Sequence, residues 1–324
     1  LIDEGFLPYF YLVIDPEQNP NDVFERILDL KKDLALIRDL ELLDRSYFGK
    51  PVKAIRVVCG EPDTVPVYAR KLDKIPGVQM SLEDSIRYVM RYLIDNGIRP
   101  CRWHEAEVEE TRNNVGISAD AVYRVRSPPK FVERAQLPSL RILGFTMIEY
   151  SRAGTPKPER DPVVMLTTST NLGKATQFVA EGDDKALIES FIKYVVENDP
   201  DIIVGYGTNQ RDWPYLLTRS KRLGLRLSVD RVRGEPHSSM YGHISVMGRA
   251  NVDLFDFADE FTDVKVKTLE NLADFLEVMK LKDRTIVQET DISSYWEDSE
   301  RRQVLGKYSL ENLQCVTGIT SAML

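Results

Sequence analysis

The segment at residues 199–217 contains an acidic side chain that we expect at the carboxyl-terminal edge of a parallel sheet. An apolar run at residues 202–204 predicts a buried strand, and the glycines at 205 and 207 indicate a turn directly after it. Asp212 then stands at the start of a helix with apolar periodicity. Because sites in open α/β domains lie at the carboxyl ends of the strands, Asp212 is the first candidate for a catalytic or metal-binding carboxylate.

The chemistry that such carboxylates would serve is metal-dependent cleavage of phosphodiester bonds. That reaction requires three or four carboxylates, which hold two divalent cations roughly 3.5–4 Å apart. Cations of this kind prefer oxygen ligands, so the ligands must be Asp or Glu rather than His or Cys. In an α/β domain they would come from the first strand, from the turn at Asp212 and from a late helix. Residues 142–150 and 308–316 are the other two segments of interest.

Length and composition limit the class of protein. The chain has 324 residues, which exceeds the usual size of one domain and predicts two. It is 43% hydrophobic and 29% charged, and we find no apolar run near the roughly 20 residues of a membrane helix. Three cysteines and three histidines argue against a disulfide framework and against a histidine-rich metal site. We expect reduced thiols and a cytoplasmic protein, and the leucine at position 1 suggests a fragment whose natural beginning is missing.

The distribution of charge carries more information than its sum. The net charge of −8 argues mildly against a general nucleic-acid binder. Residues 211–234, however, contain seven basic and two acidic side chains, and this patch could meet phosphates. The candidate DNA contacts are Arg219, Lys221 and Arg222. A solvated helix face is the alternative interpretation.

The first part of the chain predicts a small α+β domain of ferredoxin-like type. Leu28 and Val67 are among the apolar residues expected to face its core. The predicted strands lie at residues 4–14, 34–44, 51–59 and 78–80. The predicted helices lie at residues 61–72, at 81–96, and from a cap at 21–22 onward. A connecting region follows at about residues 98–138, and we place the domain boundary near residue 138.

The second part, residues 139–324, predicts an α/β sheet of ribonuclease-H-like type. Three strands in series are followed by alternating helices and strands. The predicted strands lie at residues 140–150, 162–168, 175–179, 202–204 and 241–257. The predicted helices lie at residues 183–198, 212–223, 268–279 and 298–318, with Thr268 as the cap of the third.

Several segments, in the right order, resemble archaeal family B DNA polymerases. Residues 140–150 (LRILGFTMIEY) resemble the first exonuclease motif, whose core is Asp-Ile-Glu, and residues 203–217 resemble the second. Residues 308–312 (YSLEN) resemble the third motif, Tyr-x-x-x-Asp. Residues 8–11 and 91–97 are similar to the N-terminal domain of these enzymes. The resemblance covers the whole chain and implies an N-terminal domain plus a 3′–5′ exonuclease-like domain, ending before the palm, fingers and thumb.

The departures from the family pattern fall on the metal-binding positions. Met147 stands where the family has its first Asp, and Asn312 replaces the Asp of the third motif. Gly207 stands where the family has an Asn that contacts DNA. The retained members of the implied exonuclease site are Glu149, Asp212 and Tyr308. A thioether is a poor ligand for magnesium, so the pattern predicts weak or no binding of Mg²⁺ or Mn²⁺ and an inactive exonuclease, as in the archaeal paralogue described as inactivated.

The two remaining carboxylates also have a purely structural interpretation. Asp212 would cap a helix, and Glu149 would bond to neighbouring backbone or basic side chains. Asp253 and Asp256 lie in the same domain and could in principle substitute for the lost ligands, although the spacing gives no argument that places them near Glu149.

The resemblance also implies a pocket for a template base, chiefly uracil, in the first domain. It maps onto Pro8, Val65, Pro66, Ile86, Tyr88 and Arg91. A flat apolar wall, backbone groups and a cation near the phosphate suit such a pocket. Ser85 and Arg87 depart from the more apolar family pattern. The alternative is that Val65 and Ile86 belong to the core and Arg91 to a helix surface.

We therefore expect a DNA-binding portion of a family B DNA polymerase that acts in DNA replication or repair. Its expected partners are single-stranded or primer–template DNA, the remaining polymerase domains and a sliding clamp, at the nucleoid and without a membrane. One alternative is an active two-metal proofreading exonuclease that uses Glu149, Asp212 and another carboxylate. A second alternative is a scaffold that recruits replication proteins.

Overall fold

The computed structural model describes residues 1–136, 138–239 and 241–323. The chain folds into two compact units. Unit 1 comprises Leu1–Asn113 and Asp120–Leu137, and unit 2 comprises Asn114–Ala119 and Pro138–Leu324. Within the described residues, no helix is long and apolar enough to cross a membrane.

Unit 1 is built on a four-stranded antiparallel sheet with the spatial order β2-β3-β1-β4. Its elements in chain order are β1 (Tyr9–Ile14), α1 (Pro20–Leu30), β2 (Ile37–Tyr47), β3 (Lys50–Cys59), α2 (Val65–Leu72) and β4 (Val78–Leu82). This βαββαβ order is that of the ferredoxin-like fold, which confirms the prediction for this part of the chain. A third helix, α3 (Tyr88–Asp95), follows.

The core of unit 1 forms because β1 alternates and α1 is amphipathic. Phe10 and Leu12 are fully buried on one face of β1 and pack with Val23 and Ile27 of α1. Asn19 caps α1, and its side chain accepts a hydrogen bond from the N–H of residue 21. The cap therefore lies two residues before the predicted position.

The connecting region contains two small ladders. One pairs β5 (His104–Glu105) with β8 (Lys130–Phe131), and the other pairs β6 (Val108–Thr111) with β7 (Val122–Val125). Both ladders belong to unit 1, whereas the segment Asn114–Ala119 belongs to unit 2.

Unit 2 contains a five-stranded sheet with the spatial order β11-β10-β9-β12-β15. The strands are β9 (Ile142–Glu149), β10 (Val163–Thr170), β11 (Thr176–Val179), β12 (Ile202–Gly205) and β15 (Ala250–Asp253). The first three pair antiparallel, and the last two run parallel to β9. This is the predicted ribonuclease-H-like arrangement. A short hairpin of β13 (His237–Ser238) and β14 (Ile244–Ser245) precedes β15.

Helices cover both faces of this sheet. They are α4 (Lys185–Asn198), α5 (Trp213–Arg222), α6 (Leu269–Phe275), α7 (Ile292–Glu297) and α8 (Ser299–Met323). Phe145 points from β9 towards Phe191 of α4 and Trp213 of α5, at ring-centroid distances of 5.5 and 5.1 Å. The opposite face of β9 packs on α8, where Gly144 lies against Leu313. Because side chains alternate along β9, one strand anchors both layers.

Some local predictions are wrong for identifiable reasons. The helix predicted at residues 81–96 begins only at Tyr88, because Ser81 and Leu82 pair with β1 and Glu83 takes a left-handed φ of 62°. The strand predicted at residues 241–257 is split between β14 and β15, with a 3-10 helix after them. Leu28 and Val67, which were predicted to face the core, are exposed.

Candidate functional site

The polar cleft of unit 2 lies at the carboxyl ends of β9 and β12 and beside α8. It consists of two cavities, of about 380 and 160 Å³, which share the lining residues Met147, Arg211, Glu289, Tyr308 and Asn312. Gly207 and Asp212 line the larger cavity, and Glu149 lines the smaller. The fold therefore brings all six predicted exonuclease positions to one cleft. We call this feature the remnant cleft.

Asp212 follows β12 in a π-helical turn, Thr208–Asp212, that leads into α5. Its side chain is almost fully buried, and Oδ1 accepts a hydrogen bond from Nε of Arg211 at 2.9 Å. Burial raises the pKa of Asp212, and the charge of Arg211 opposes that rise. Asp212 occupies the N-cap position of α5, as the alternative interpretation expects, but its carboxylate makes no capping hydrogen bond to the described residues of that helix.

Glu149 is the last residue of β9 and is 9% exposed. Its Oε1 is buried and has no hydrogen-bond partner among the described residues. Burial, followed by the negative charge of Asp212, raises the pKa of Glu149 to about 7, and Arg211 acts in the opposite direction. Glu149 is thus a buried carboxyl group, with Oε1 unpaired in the described part of the chain, at the edge of the smaller cavity.

The substituted positions have acquired structural contacts. Met147 is 5% exposed and belongs to the apolar core with Phe145 and Trp213. The side-chain oxygen of Asn312 accepts a hydrogen bond from Nη2 of Arg284, whose side chain is fully buried.

Gly207 adopts a left-handed φ of 73° in the turn, a conformation that glycine and asparagine tolerate best. Its N–H donates to Oδ1 of Asp253 at 2.6 Å. This hydrogen bond holds the backbone of the turn, and the glycine offers no side-chain amide to the cleft.

Tyr308 also stays in the cleft. Burial raises the pKa of Tyr308, and the guanidinium of Arg284 lies 5.7 Å from the centre of its ring. Tyr308 lies one helical turn before Asn312 on α8, in the same cleft.

Asp253 and Asp256 do not replace the lost ligands. Asp253 accepts backbone hydrogen bonds from Gly207, Asn209 and Phe255 at 2.6–3.0 Å. Asp256 accepts from the side-chain amide of Asn209 at 3.0 Å. Neither aspartate lines either cavity of the remnant cleft in the described part of the chain.

Three charged residues of the cleft do not emerge from the sequence as site residues. Arg211 stands out there only as a member of the basic patch, although its position directly before Asp212 is a usable signal. Glu289 lies 3.8 Å from Nη1 of Arg211, and Glu270 lies 3.3 Å from Nη2 of Arg284. No sequence motif singles out the two glutamates, because their contacts depend on the tertiary fold.

The donor set does not fit a two-metal centre. Such a centre needs three or four carboxylates that converge on two cations. Within residues 1–136, 138–239 and 241–323, no group of three or more His, Cys, Asp or Glu side chains could hold a metal ion. Of the two predicted carboxylates, Asp212 is paired with Arg211, and burial raises the pKa of Glu149.

The basic patch after Asp212 separates into two groups. Arg219 forms a bidentate ion pair with Asp184, with Nε–Oδ2 and Nη2–Oδ1 distances of 2.7 and 2.9 Å, and is 11% exposed. Arg231 likewise bonds to Asp199 and Asp201. The exposed members are Arg211, Lys221, Arg222, Arg226 and Arg233, and of these Arg211 is paired with Asp212. Arg219 is therefore committed to the protein interior rather than available to phosphates.

The predicted base-pocket residues also meet in one place, in unit 1. A cavity of about 460 Å³ is lined by Pro8, Val65, Pro66, Ile86, Tyr88 and Arg91, together with Asp63 and Asp84. Arg91 is 6% exposed, so the alternative that it lies on a helix surface is wrong. Its Nη2 bonds to Glu83 at 2.6 Å, and its guanidinium lies 4.4 Å from the ring centre of Tyr9. Its Nε is a buried donor with no partner among the described residues.

The comparisons with known proteins agree on the family. A family model described as DNA polymerase family B, exonuclease domain, matches residues 81–181 and 169–272. DNA polymerase 2 of Aeropyrum pernix is 36% identical over 324 residues, 98% of this chain and 40% of the relative. DNA polymerase 3 of Saccharolobus solfataricus is 29% identical over 318 residues, with the same two coverages.

A solved structure gives the same result. The family B DNA polymerase from the hyperthermophilic archaeon Pyrobaculum calidifontis is 39% identical, with a TM-score of 0.89 over 98% of this chain and 41% of that chain. The chain thus spans about 40% of the length of these relatives. With the fold, the order of the motifs and these matches together, the chain belongs to DNA polymerase family B.

Proposed function

We propose that this chain is the N-terminal and exonuclease-like portion of a family B DNA polymerase that binds single-stranded or template DNA without hydrolysing it. The observation that carries the proposal is the state of the remnant cleft. Two of its four acidic positions are Met147 and Asn312, and the retained Asp212 is paired with Arg211. The shape of a nuclease site is kept, and the ligands that would activate water are lost.

The chemical argument concerns charge. Two dications need several full negative charges around them, and the cleft offers one paired aspartate and one glutamate with a raised pKa. A thioether at 147 and an amide at 312 supply no compensating charge. The side chains present can hold a strand end by hydrogen bonds but cannot generate a metal-bound nucleophile.

A nuclease assay tests this proposal directly. A 5′-labelled primer–template is incubated with excess protein and Mn²⁺, and we expect no shortening above the protein-free control. Asp212→Asn and Glu289→Gln are assayed in parallel, since Glu289 is a further carboxylate that lines both cavities of the cleft. Metal-dependent shortening that disappears with either variant would establish the active-exonuclease alternative instead.

Binding of DNA is proposed to use the exposed part of the basic patch. Replacing Lys221 and Arg222 by alanine should weaken single-stranded DNA binding, because each neutralised phosphate releases counterions on association. The slope of log K against log salt should become shallower by about 1.4 for two lost contacts, at about 0.7 per contact. Fluorescence anisotropy over a series of salt concentrations measures both effects.

The matched control is the double variant Lys174→Ala, Lys185→Ala. It removes the same charge from exposed positions of unit 2 outside the patch. An equal change in slope for both double variants would show that only net charge matters. No measurable binding by the wild-type chain at low salt would favour the scaffold alternative.

We also propose that the 460 Å³ cavity of unit 1 takes a template base. Its apolar wall of Val65, Pro66 and Ile86 suits a planar ring, and the unpartnered Nε of Arg91 offers one donor. Filling the cavity with Ile86→Trp should abolish any preference for uracil-containing over thymine-containing single strands in a competition assay. Equal affinities for the two strands in the wild-type chain would refute selective recognition of uracil.

The wider setting follows from the family. We propose that the remaining polymerase domains contact this portion, that it works in replication or repair at the nucleoid, and that a sliding clamp is a partner of the whole protein. Co-purification of the full-length protein with its clamp, tested with and without DNA, would check the last point.

A further inference from the structure

We propose that the guanidinium of Arg211 is the resident cation of the remnant cleft and excludes divalent metal ions from its carboxylates. The inference rests on the proposed function and deepens it. It adds that the retained carboxylates are held by a cation of the chain itself. Loss of metal binding would then be an actively stabilised state rather than only the absence of two ligands.

The contacts of Arg211 place its charge among three carboxylates. Its Nε donates to Oδ1 of Asp212 at 2.9 Å, and its Nη1 lies 3.8 Å from Oε1 of Glu289. Arg211 lines both cavities of the cleft, including the smaller one that Glu149 borders. The carboxylates come from three different segments, namely the end of β9, the turn after β12 and the 3-10 turn before α7. One side chain therefore meets the negative charge that converges on this cleft.

The backbone of Arg211 is held in place, and its side chain, which is 55% exposed, reaches Asp212 from there. The residue lies in the π-helical turn, where its N–H bonds to the carbonyl of Gly207 at 3.1 Å. The side chain of Asp212 is 3% exposed, and a carboxylate this deeply buried needs a cation or a proton. A charge-assisted hydrogen bond from the neighbouring residue satisfies that need without any ion from solution.

The other charged side chains of the cleft are also matched within the chain. Glu270 is paired with Arg284, which in turn holds the amide oxygen of Asn312. Lys267 donates to the carbonyl of Phe261 at 2.7 Å. A dication entering the cleft would thus have to displace Arg211 from Asp212 before it gained that carboxylate as a ligand.

The experiment uses Mn²⁺ alone as the probe and measures binding rather than hydrolysis. Free Mn²⁺ is followed by electron paramagnetic resonance, and isothermal titration provides the affinity. The wild-type chain should show no saturable binding up to millimolar Mn²⁺. Arg211→Met should show saturable binding, with a dissociation constant about tenfold to a hundredfold below the wild-type limit of about 1 mM, the range that one charge-assisted hydrogen bond supplies. Adding Asp212→Asn to that variant should remove the site again.

Two further variants separate charge from packing. Arg211→Lys keeps a cation at this position and should remain without Mn²⁺ binding. Arg222→Met removes an exposed arginine from the same helix region and should behave as the wild type. If Arg211→Met unfolds, Arg211→Gln, which can still hydrogen bond to Asp212, replaces it in the series.

The outcomes that overturn the inference differ from those that overturn the proposed function. Tight Mn²⁺ binding by the wild-type chain, or equal affinities for the wild type and the folded neutral variants, would refute the role of Arg211. An inactive wild type would leave the proposed function standing in either case. Hydrolysis of DNA by the wild type would instead refute the proposed function.

Discussion

Replacing Arg219 with methionine is expected to destabilise the folded chain by about 3–5 kcal/mol, the cost of leaving one member of a buried ion pair without its partner. Asp184 is fully buried and receives both hydrogen bonds of the Arg219 fork. Its Oδ2 also accepts the N–H of Val163 at 2.9 Å. Without the guanidinium, the carboxylate would remain in the interior with only that one backbone donor. Chemical denaturation at pH 7, followed by the fluorescence of the buried Trp213, measures the loss.

The matched control lies on the same helix. Arg222→Met removes the same charge from an exposed position of α5 and should change the free energy of unfolding by no more than about 0.5 kcal/mol. Arg219→Met could instead keep the denaturant midpoint of the wild type and lose affinity for DNA. That result would show that Arg219 contacts phosphates. The two readouts therefore assign the residue to one role or the other.

The different fates of these arginines could have been read from the spacing along α5. Leu216 and Ser220 are buried, and Arg219 lies three residues after the first and next to the second, on the edge of the buried face. Lys221 and Arg222 fall on the opposite side. Treating the basic residues as one patch ignored the helical period, and the pairing of Arg219 with Asp184 then required knowledge of where α4 begins.

The sheet of unit 2 was predictable because its strands are short apolar runs bounded by turns. The strand at residues 140–150 was expected, and β9 occupies Ile142–Glu149 with seven buried residues in its eight positions. The location of Asp212 followed from the rule that parallel strands deliver their carboxyl ends to one edge. Thr268, predicted as a helix cap, accepts a hydrogen bond from the N–H of Asn271.

The failures share one physical cause, which is competition from tertiary pairing. The apolar residues of segment 81–87 are spaced as in a helix, but Ser81 and Leu82 pair with β1 as part of β4. The ion-pair partners within the remnant cleft also depend on the tertiary fold and cannot be predicted from local sequence. The sequence shows that Arg211 precedes Asp212, but not that Glu149 and Glu289 converge on the same guanidinium. That convergence is set by the packing of β9, α5 and the segment before α7.

Replacing Glu149 with glutamine is expected to increase the free energy of unfolding relative to the wild type, and this gain should be larger at pH 8 than at pH 4.5. The glutamate has a pKa of about 7 in the folded chain, raised first by burial and then by Asp212. A carboxyl group whose pKa is raised by folding binds more protons in the folded state. Stability is therefore lost as the pH rises from about 4.5 to about 7. Glutamine cannot ionise and escapes this loss, which amounts to about 3 kcal/mol for a shift of this size.

This effect is measured as the difference in the free energy of unfolding between Glu149→Gln and the wild type, followed over a range of pH. The free energies of unfolding of the wild type and of Glu149→Gln should diverge between pH 4.5 and pH 8 and run parallel above it. An unsatisfied amide would add a constant offset, since Oε1 has no partner to offer it, but would leave the slope unchanged. Glu189→Gln, at an exposed position of α4, controls for the loss of any carboxylate.

Parallel curves over the whole range would mean that Glu149 is ionised throughout, with Arg211 as an effective counter-ion. Diverging curves would mean that Arg211 neutralises mainly Asp212, and that Glu149 takes up a proton in the folded chain. These two states differ in what the cleft can hold. An ionised Glu149 adds a second negative charge to that of Asp212, whereas a protonated Glu149 leaves the charge of Asp212, which is paired with Arg211. The pH dependence of this difference thus reports whether Glu149 keeps a negative charge beside Asp212 in the folded chain.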